Sequence, residues 1–274
     1  MTPIVMHLTG GGGGIGDTVV ALYAACGMAQ ATGREVVYYA RYRQWIDRAS
    51  FPGVEIRDHQ EIGVDASGGW EGPHGYHAAT RTARSRLWAY CTNLANAYRL
   101  PPFEGVRPHL PPPPVTSGQP YAVLAPFTSA WPAREWPAWK WTAVAHNLAA
   151  RGIRPVGVGT REQRHRLAAT LPGHECHYGT TADQVLDIMQ GAMVVVANDS
   201  GLAHVGGLLD VPTVAVHAGS LPHAYLFERG NSISSVTSGL RLPRADANAD
   251  ALGTITPARV VAGVTDLLAS SLTA

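Results

Sequence analysis

Val194 to Gly219 reads VVVANDSGLAHVGGLLDVPTVAVHAG, and its three pieces decide the fold. Val194 to Ala197 is an unbroken apolar run, the pattern of a strand buried on both faces of a parallel sheet. Asp199, Ser200 and Gly201 interrupt it. Leu202 to Leu209 is then apolar and rich in small residues, suited to a tightly packed helix, and Val211-Pro212 with Thr213 to Val216 begins another strand. In open parallel sheets, ligands collect where strands end and helices begin. Here that turn carries a carboxylate, a hydroxyl and a glycine, with His204 about one helical turn past Ser200. A helix start exposes unpaired N–H groups and partial positive charge, which suits a phosphate. Asp199 and Ser200 are equally ordinary helix caps. From the turn alone both readings stand.

Working back from this stretch, Tyr121 to Leu124, Pro155 to Val158 and Cys176 to Tyr178 read as further strands. Helices are expected over about 138–151, 163–171 and 183–190, the last after Thr180-Thr181-Ala182-Asp183, which has capping-box spacing. Forward of it, Thr256-Pro257 opens a final helix, Ala258 to Leu272.

The first half repeats the alternation. A strand at Pro3 to Leu8, glycines from Gly10 to Gly14, then Gly16 and Asp17, a helix at Val19 to Ala31 and a strand at Glu35 to Ala40 make a βαβ opening. Gly11, Gly13 and Gly16 have GxGxxG spacing, but five consecutive glycines match many such patterns. The acid expected near the end of the second strand of a dinucleotide fold is not there. That end is Tyr39-Ala40-Arg41, and Glu35 stands at its start. Gly-Lys-Ser/Thr is missing, which excludes a P-loop. Asp17 reads either as a helix cap or as a carboxylate presented by a glycine loop.

Beyond this unit, a short helix is expected within 41–50 and a strand at Val54 to Ile56. Residues 63–76 form a polar glycine-rich loop, and Arg81 to Leu100 a helix whose Leu87, Tyr90, Leu94 and Tyr98 stripe is expected to pack. Pro101-Pro102 and Pro111 to Pro114 bracket a semi-rigid linker at about 101–118. It divides an N-terminal domain, 1–110, from a C-terminal domain, 118–274, with the last helix expected to pack back on the N-terminal domain.

The 274 residues are 46% hydrophobic and 15% charged, with 21 basic and 20 acidic side chains. That balance gives no basic footprint for nucleic acid or an acidic membrane surface. Cys26, Cys91 and Cys176 fit neither a disulfide framework nor a zinc motif, so reduced thiols in a cytoplasm are expected. The N-terminus lacks the features of a signal peptide and no apolar run reaches membrane-spanning length, so no integral membrane segment is expected.

Several segments, in order, resemble glycosyltransferase family 9, the heptosyltransferases of lipopolysaccharide synthesis and their relatives. Ile15-Gly16-Asp17-Thr18-Val19 is similar to the family's N-terminal Gly-Asp loop. Phe127-Thr128-Ser129 and Arg134-Glu135-Trp136-Pro137 resemble its phosphate loop and Trp-Pro helix start. Val158 to Glu162 resembles the strand and glycine before a ribose-binding glutamate. Asn198 to His204, with Val211 to Val214 behind it, matches the family's most recognisable signature. One departure is Arg134, where the family usually has lysine; a planar guanidinium binds phosphate bidentately and is not a simple replacement.

The resemblance implies an α/β protein of the GT-B class, two Rossmann-like domains facing a central cleft, acceptor mostly in the first and donor in the second. It implies sugar transfer from a nucleotide diphosphate, ADP-heptose being the family's leading donor. Asp17, on the loop of Gly13, Gly14 and Gly16, is then the base. Thr128, Ser129, Arg134 and the N–H groups around Ser200 and Gly201 hold the diphosphate, and Glu162 the ribose. His204 faces the same ligand, Asp199 caps the helix or orients Arg134, and Thr180 lies near the nucleobase. No metal site and no cofactor besides the donor are expected; the partners are a small-molecule donor and an acceptor, with a slight preference for a soluble one. Two other classes stay open: a nicotinamide-dependent oxidoreductase, favoured by the glycine loop, and a non-catalytic nucleotide-sugar binding protein.

Overall fold

The computed structural model describes residues 2–9, 14–62, 70–71, 86–112, 118–128, 135–218, 233–237 and 248–271. Gly10 to Gly13, Ser129, Arg134 and most of the 63–76 loop lie outside them. Met1–Pro112 builds one compact unit; Pro113–Pro222 and Phe227–Ala274 build the other.

The first unit opens with strand β1 (Ile4–Thr9), helix α1 (Ile15–Thr32) and strand β2 (Val36–Ala40). Alanine, valine and glycine dominate α1, which is buried all round and so carries no amphipathic stripe. Gly33 ends it in the left-handed region (φ 63°), its N–H returning to the Ala29 carbonyl. The helix expected within 41–50 is a single 3-10 turn, Arg43–Trp45. Strands β3 (Val54–Asp58) and β4 (Trp70–Glu71) complete a parallel sheet in the order β3-β2-β1-β4. Helix α2 (Arg86–Ala97) packs on α1 through a face that includes Tyr90, Cys91 and Leu94. Cys26 and Cys91 are free thiols that burial pushes up to about 12, which makes them inert.

Within the expected linker, residues 104–109 pack on this unit. Val106 N–H donates to the Tyr23 carbonyl at 2.9 Å, and His109 and Ser50 exchange backbone hydrogen bonds at 2.7 and 2.9 Å. The strap lies so close to α1 that a Cβ added at Gly27 would fall 1.9 Å from the Glu104 carbonyl oxygen. Prolines here shape an ordered crossing of α1.

The second unit contains β5 (Tyr121–Ala125), α3 (Ala138–Ala150), β6 (Arg154–Gly159), α4 (Arg164–Thr170), β7 (Glu175–Tyr178), α5 (Ala182–Gln190), β8 (Val194–Asn198), α6 (Gly201–Leu208), β9 (Thr213–His217), β10 (Ile233–Thr237), α7 (Asn248–Thr254) and α8 (Pro257–Ser271). Its strands are all parallel, in the order β10-β9-β8-β5-β6-β7. The core joins Leu124, Trp141, Leu148, Val196 and Val216 to Leu252, Val260, Val264 and Leu267. The apolar face of α8 closes the second unit's core, against α3 and β8 to β10. Among the described residues, no helix is long and apolar enough to cross a membrane.

Gly27→Ala should lower stability by about 1–3 kcal/mol, the usual cost of overpacking, because the added methyl must displace backbone. Gly253→Ala on α7, with nothing within 4 Å of the new Cβ, is the matched control. Equal urea midpoints for the two variants would show that the strap yields freely.

Candidate functional site

In the second unit the chain runs outward from β5 to β6 and β7, then returns to the other side of β5 to form β8, β9 and β10. That reversal makes a switch point between β5 and β8, where open α/β sheets bind ligands. Ala125 pairs with Ala197, so Thr128 and Ser200 each stand three residues past a paired position. From β8 through β5 and β6 to β7, the same sheet edge carries Asp199 and Ser200, Thr128, Glu162 and Thr180 in turn. Residues scattered along the sequence thus form one row, spanning three strand spacings or ~14 Å.

Asn198, the last residue of β8, is fully buried in an otherwise apolar strand and therefore needs partners. Its Nδ2 donates to the Pro126 carbonyl, and its Oδ1 accepts the Trp136 N–H at 3.2 Å. Pro126 and Trp136 flank the stretch that carries Thr128, Ser129 and Arg134, so one side chain holds both of its ends. Glu135 closes the same stretch again. One of its oxygens accepts the Thr128 N–H at 3.2 Å and the other pairs with Arg166, whose guanidinium lies 4.4 Å from the Phe127 ring centre.

Trp136 is anchored in turn. Its indole N–H donates to the Ile255 carbonyl at 3.1 Å, and Lys140 donates to the Gly253 and Ile255 carbonyls at 2.5 and 2.7 Å. Burial pulls the Lys140 ammonium below the ordinary lysine value, while its place at the last carbonyls of α7 suits a cation. This lysine is architectural.

At the β8 turn, Ser200 and not Asp199 is the N-cap of α6, with φ −141° and ψ 169°. The Asp199 N–H pairs with the Val216 carbonyl at 3.0 Å. Ser200 makes no side-chain capping bond, and its Oγ is buried without a hydrogen-bond partner among the described residues. His204 is buried within α6, which sits tightly on β9: a Cβ at Gly206 would fall 2.3 Å from Thr213 Oγ1. His217 ends β9 beside this turn. Burial holds its imidazole below the ordinary histidine value, opposed by the Asp199 carboxylate.

Glu162 is exposed just past β6; hydrogen bonds from Thr160 and from its own N–H hold its carboxyl below the usual glutamate value. Thr180 follows Gly179, which turns the chain at φ 67°. The capping box expected to begin at Thr180 begins one residue later. Thr181 accepts the Gln184 N–H at 3.3 Å and Gln184 returns the bond at 2.9 Å. That shift leaves Thr180 Oγ1 buried and without a hydrogen-bond partner among the described residues.

In the first unit, Gly14 is the N-cap of α1 and Asp17 is its third helical residue. Asp17 Oδ2 accepts the Gly14 N–H at 3.0 Å, and Oδ1 accepts the Tyr90 hydroxyl at 3.0 Å. Gly16 is buried in the same turn. Sequence reasoning passed over Asn198, Glu135 and Tyr90 as site-building residues. The signal for Asn198 was a lone amide ending a buried apolar strand; Tyr90 sat within a helical stripe and gave none. Among the described residues, no group of three or more His, Cys, Asp or Glu side chains is placed to hold a metal ion.

Asn198→Ala should leave the Pro126 carbonyl and Trp136 N–H unpaired, lowering stability by about 2–4 kcal/mol and speeding hydrogen exchange at the Trp136 N–H. Protection equal to wild type would remove Asn198 from this role.

Residues 95–227 match the sequence model described as glycosyltransferase family 9 (heptosyltransferase). Among solved structures, the family 9 glycosyltransferase from Veillonella parvula DSM 2008 has a TM-score of 0.73 at 14% identity, covering 98% of this chain and 97% of that one. The E. coli ADP-heptose lipopolysaccharide heptosyltransferase II has 0.62 at 18%, covering 98% and 99%. The dodecameric iron-containing heptosyltransferase TibC of E. coli, solved with ADP-D-β-D-heptose, has 0.70 at 16%, covering 98% and 77%. No curated protein matches by sequence. At these identities the structures establish the shared fold, two Rossmann-like α/β units of the GT-B class. The segment 95–227 thus carries the sequence pattern of the family 9 glycosyltransferases (heptosyltransferases), within a chain that shares its fold with those enzymes.

Proposed function

We propose that this glycosyltransferase moves a heptose or related sugar, with inversion at the anomeric carbon, from an ADP-linked donor to a hydroxyl or amine acceptor. The row of Ser200, Thr128, Glu162 and Thr180 along one sheet edge carries this reading. It offers hydroxyls for the diphosphate at the switch point, a carboxylate for ribose hydroxyls one strand further, and Thr180 past β7 for the nucleobase. The TibC complex supports an ADP-linked donor by analogy. The glycine-loop case for an oxidoreductase is weaker, because Glu35 precedes β2 and so does not stand at its end.

In the proposed reaction, Asp17 takes the acceptor's proton as its oxygen or nitrogen bonds to the anomeric carbon. The bond from that carbon to the diphosphate breaks, and its electron pair leaves with the nucleotide. Charge developing there is stabilised by the Arg134 guanidinium, the Thr128 and Ser129 hydroxyls and the N–H groups at the start of α6. These donors need no metal, and none is proposed. The acceptor is proposed to be small and soluble and the location cytoplasmic, in keeping with the near-neutral charge balance.

Arg134→Ala should weaken ADP binding by roughly 1.5–3 kcal/mol, the scale of a hydrogen bond to a charged group, and adenosine binding much less. Titration calorimetry in EDTA against ADP, UDP, GDP, NAD and adenosine measures this; equal weakening for ADP and adenosine would move the diphosphate elsewhere. Asp17→Asn should keep ADP affinity while turnover falls by about two to four orders of magnitude. Near-native turnover would leave Asp17 as a helix-capping residue.

A further inference from the structure

Tyr90 lies on α2, is 2% exposed, and directs its hydroxyl at Asp17 Oδ1 from 73 residues away in the chain. Its helix neighbours Cys91, Leu94 and Ala95 are buried and apolar, the ordinary face of a helix packed on another. Phenylalanine would fill the same space. What tyrosine adds is one O–H, and that O–H donates to the carboxylate proposed as the base.

The surrounding turn is held from other sides as well. Gly14 N–H donates to the second Asp17 oxygen at 3.0 Å. Tyr38, fully buried on β2, donates to the Thr18 carbonyl at 3.3 Å, and Thr18 N–H returns to Gly14 at 3.1 Å. A carboxylate has about four lone-pair sites, two on each oxygen. With a donor on each oxygen, rotation about the Cβ–Cγ bond is restrained, and the lone pairs of the carboxylate point in set directions. A general base must present one such lone pair to the acceptor proton at hydrogen-bond distance. Held in this way, the group needs no reorganisation at the moment of transfer.

We propose that Tyr90 is a positioning residue for catalysis, fixing the Asp17 carboxylate plane through its hydroxyl while touching neither donor nor acceptor. This rests on the reading of Asp17 as the base. It assigns a role in the reaction to a helix otherwise explained by packing alone.

The test measures ADP release from ADP-D-β-D-heptose, with water as acceptor, for wild type, Tyr90→Phe, Asp17→Asn and the double variant. Tyr90→Phe should lower kcat about 10- to 100-fold, the range of a hydrogen bond to a charged group, with KM for the donor and the thermal midpoint near wild type. The double variant should be no slower than Asp17→Asn, because Tyr90 acts through that carboxylate. Wild-type kcat in Tyr90→Phe beside a slow Asp17→Asn overturns the positioning role and leaves the base in place. A near-native Asp17→Asn, or no ADP release by wild type, overturns the base reading and this inference with it. If Tyr90→Phe fails to fold, 3-fluorotyrosine and 3,5-difluorotyrosine at position 90 keep the shape and grade the acidity of the phenol; kcat unchanged across that series overturns the proposal.

Discussion

The second unit depends on where the Asn198 side chain finds its partners. An amide buried at the end of an apolar strand is costly unless both its donor and its acceptor are used. Here the partners are backbone groups on the two sides of a neighbouring loop, Pro126 and Trp136. Satisfying the amide therefore fixes the base of that loop against the β8 turn. Trp136 then carries the constraint to Ile255, and Lys140 carries it to the end of α7. The far C-terminal helices thus brace the switch point although they contribute none of its candidate contacts.

Central parallel strands were legible in the sequence because burial on both faces demands unbroken apolar runs, as in Val194 to Ala197 and Thr213 to Val216. Strand β10 was not, since Ile233-Ser234-Ser235-Val236-Thr237 forms the edge of the sheet and its serines hide the pattern. Helix α7 is seven residues long, too short for a stripe to show. The strap at 103–109 read as a linker because proline content reports local stiffness, while its packing depends on Gly27, a contact no local window contains.

Candidate site residues were legible to the extent that function coincides with an exception to pattern. Asp199, Ser200 and Gly201 interrupt an apolar run, and Glu162 and Thr180 follow strand ends, so each could be named from the chain. Their order along the sheet edge could not, because it depends on β8 returning beside β5. Tyr90 was hidden for another reason. Its ring obeys the helical stripe, and the hydroxyl that breaks the apolar rule is aimed at a partner on a different helix.

Whether a helix-start hydroxyl is a cap or a ligand group is undecidable from sequence, because both uses draw on the same unpaired N–H groups. The second unit allows an internal comparison. Thr181, at the start of α5, forms a complete reciprocal box with Gln184. Ser200, at the start of α6, has cap geometry but no capping bond, and its hydroxyl is buried. Local sequence explains the contrast. Gln184 stands at the third helical position of α5, whereas α6 has Ala203 there, which has no side chain to reach back. The start of α6 thus has fewer capping bonds than that of α5, beside the switch point of the sheet. What separates Ser200 from the equally uncapped starts of α3 and α4 is a hydroxyl buried without a hydrogen-bond partner among the described residues, next to the switch point.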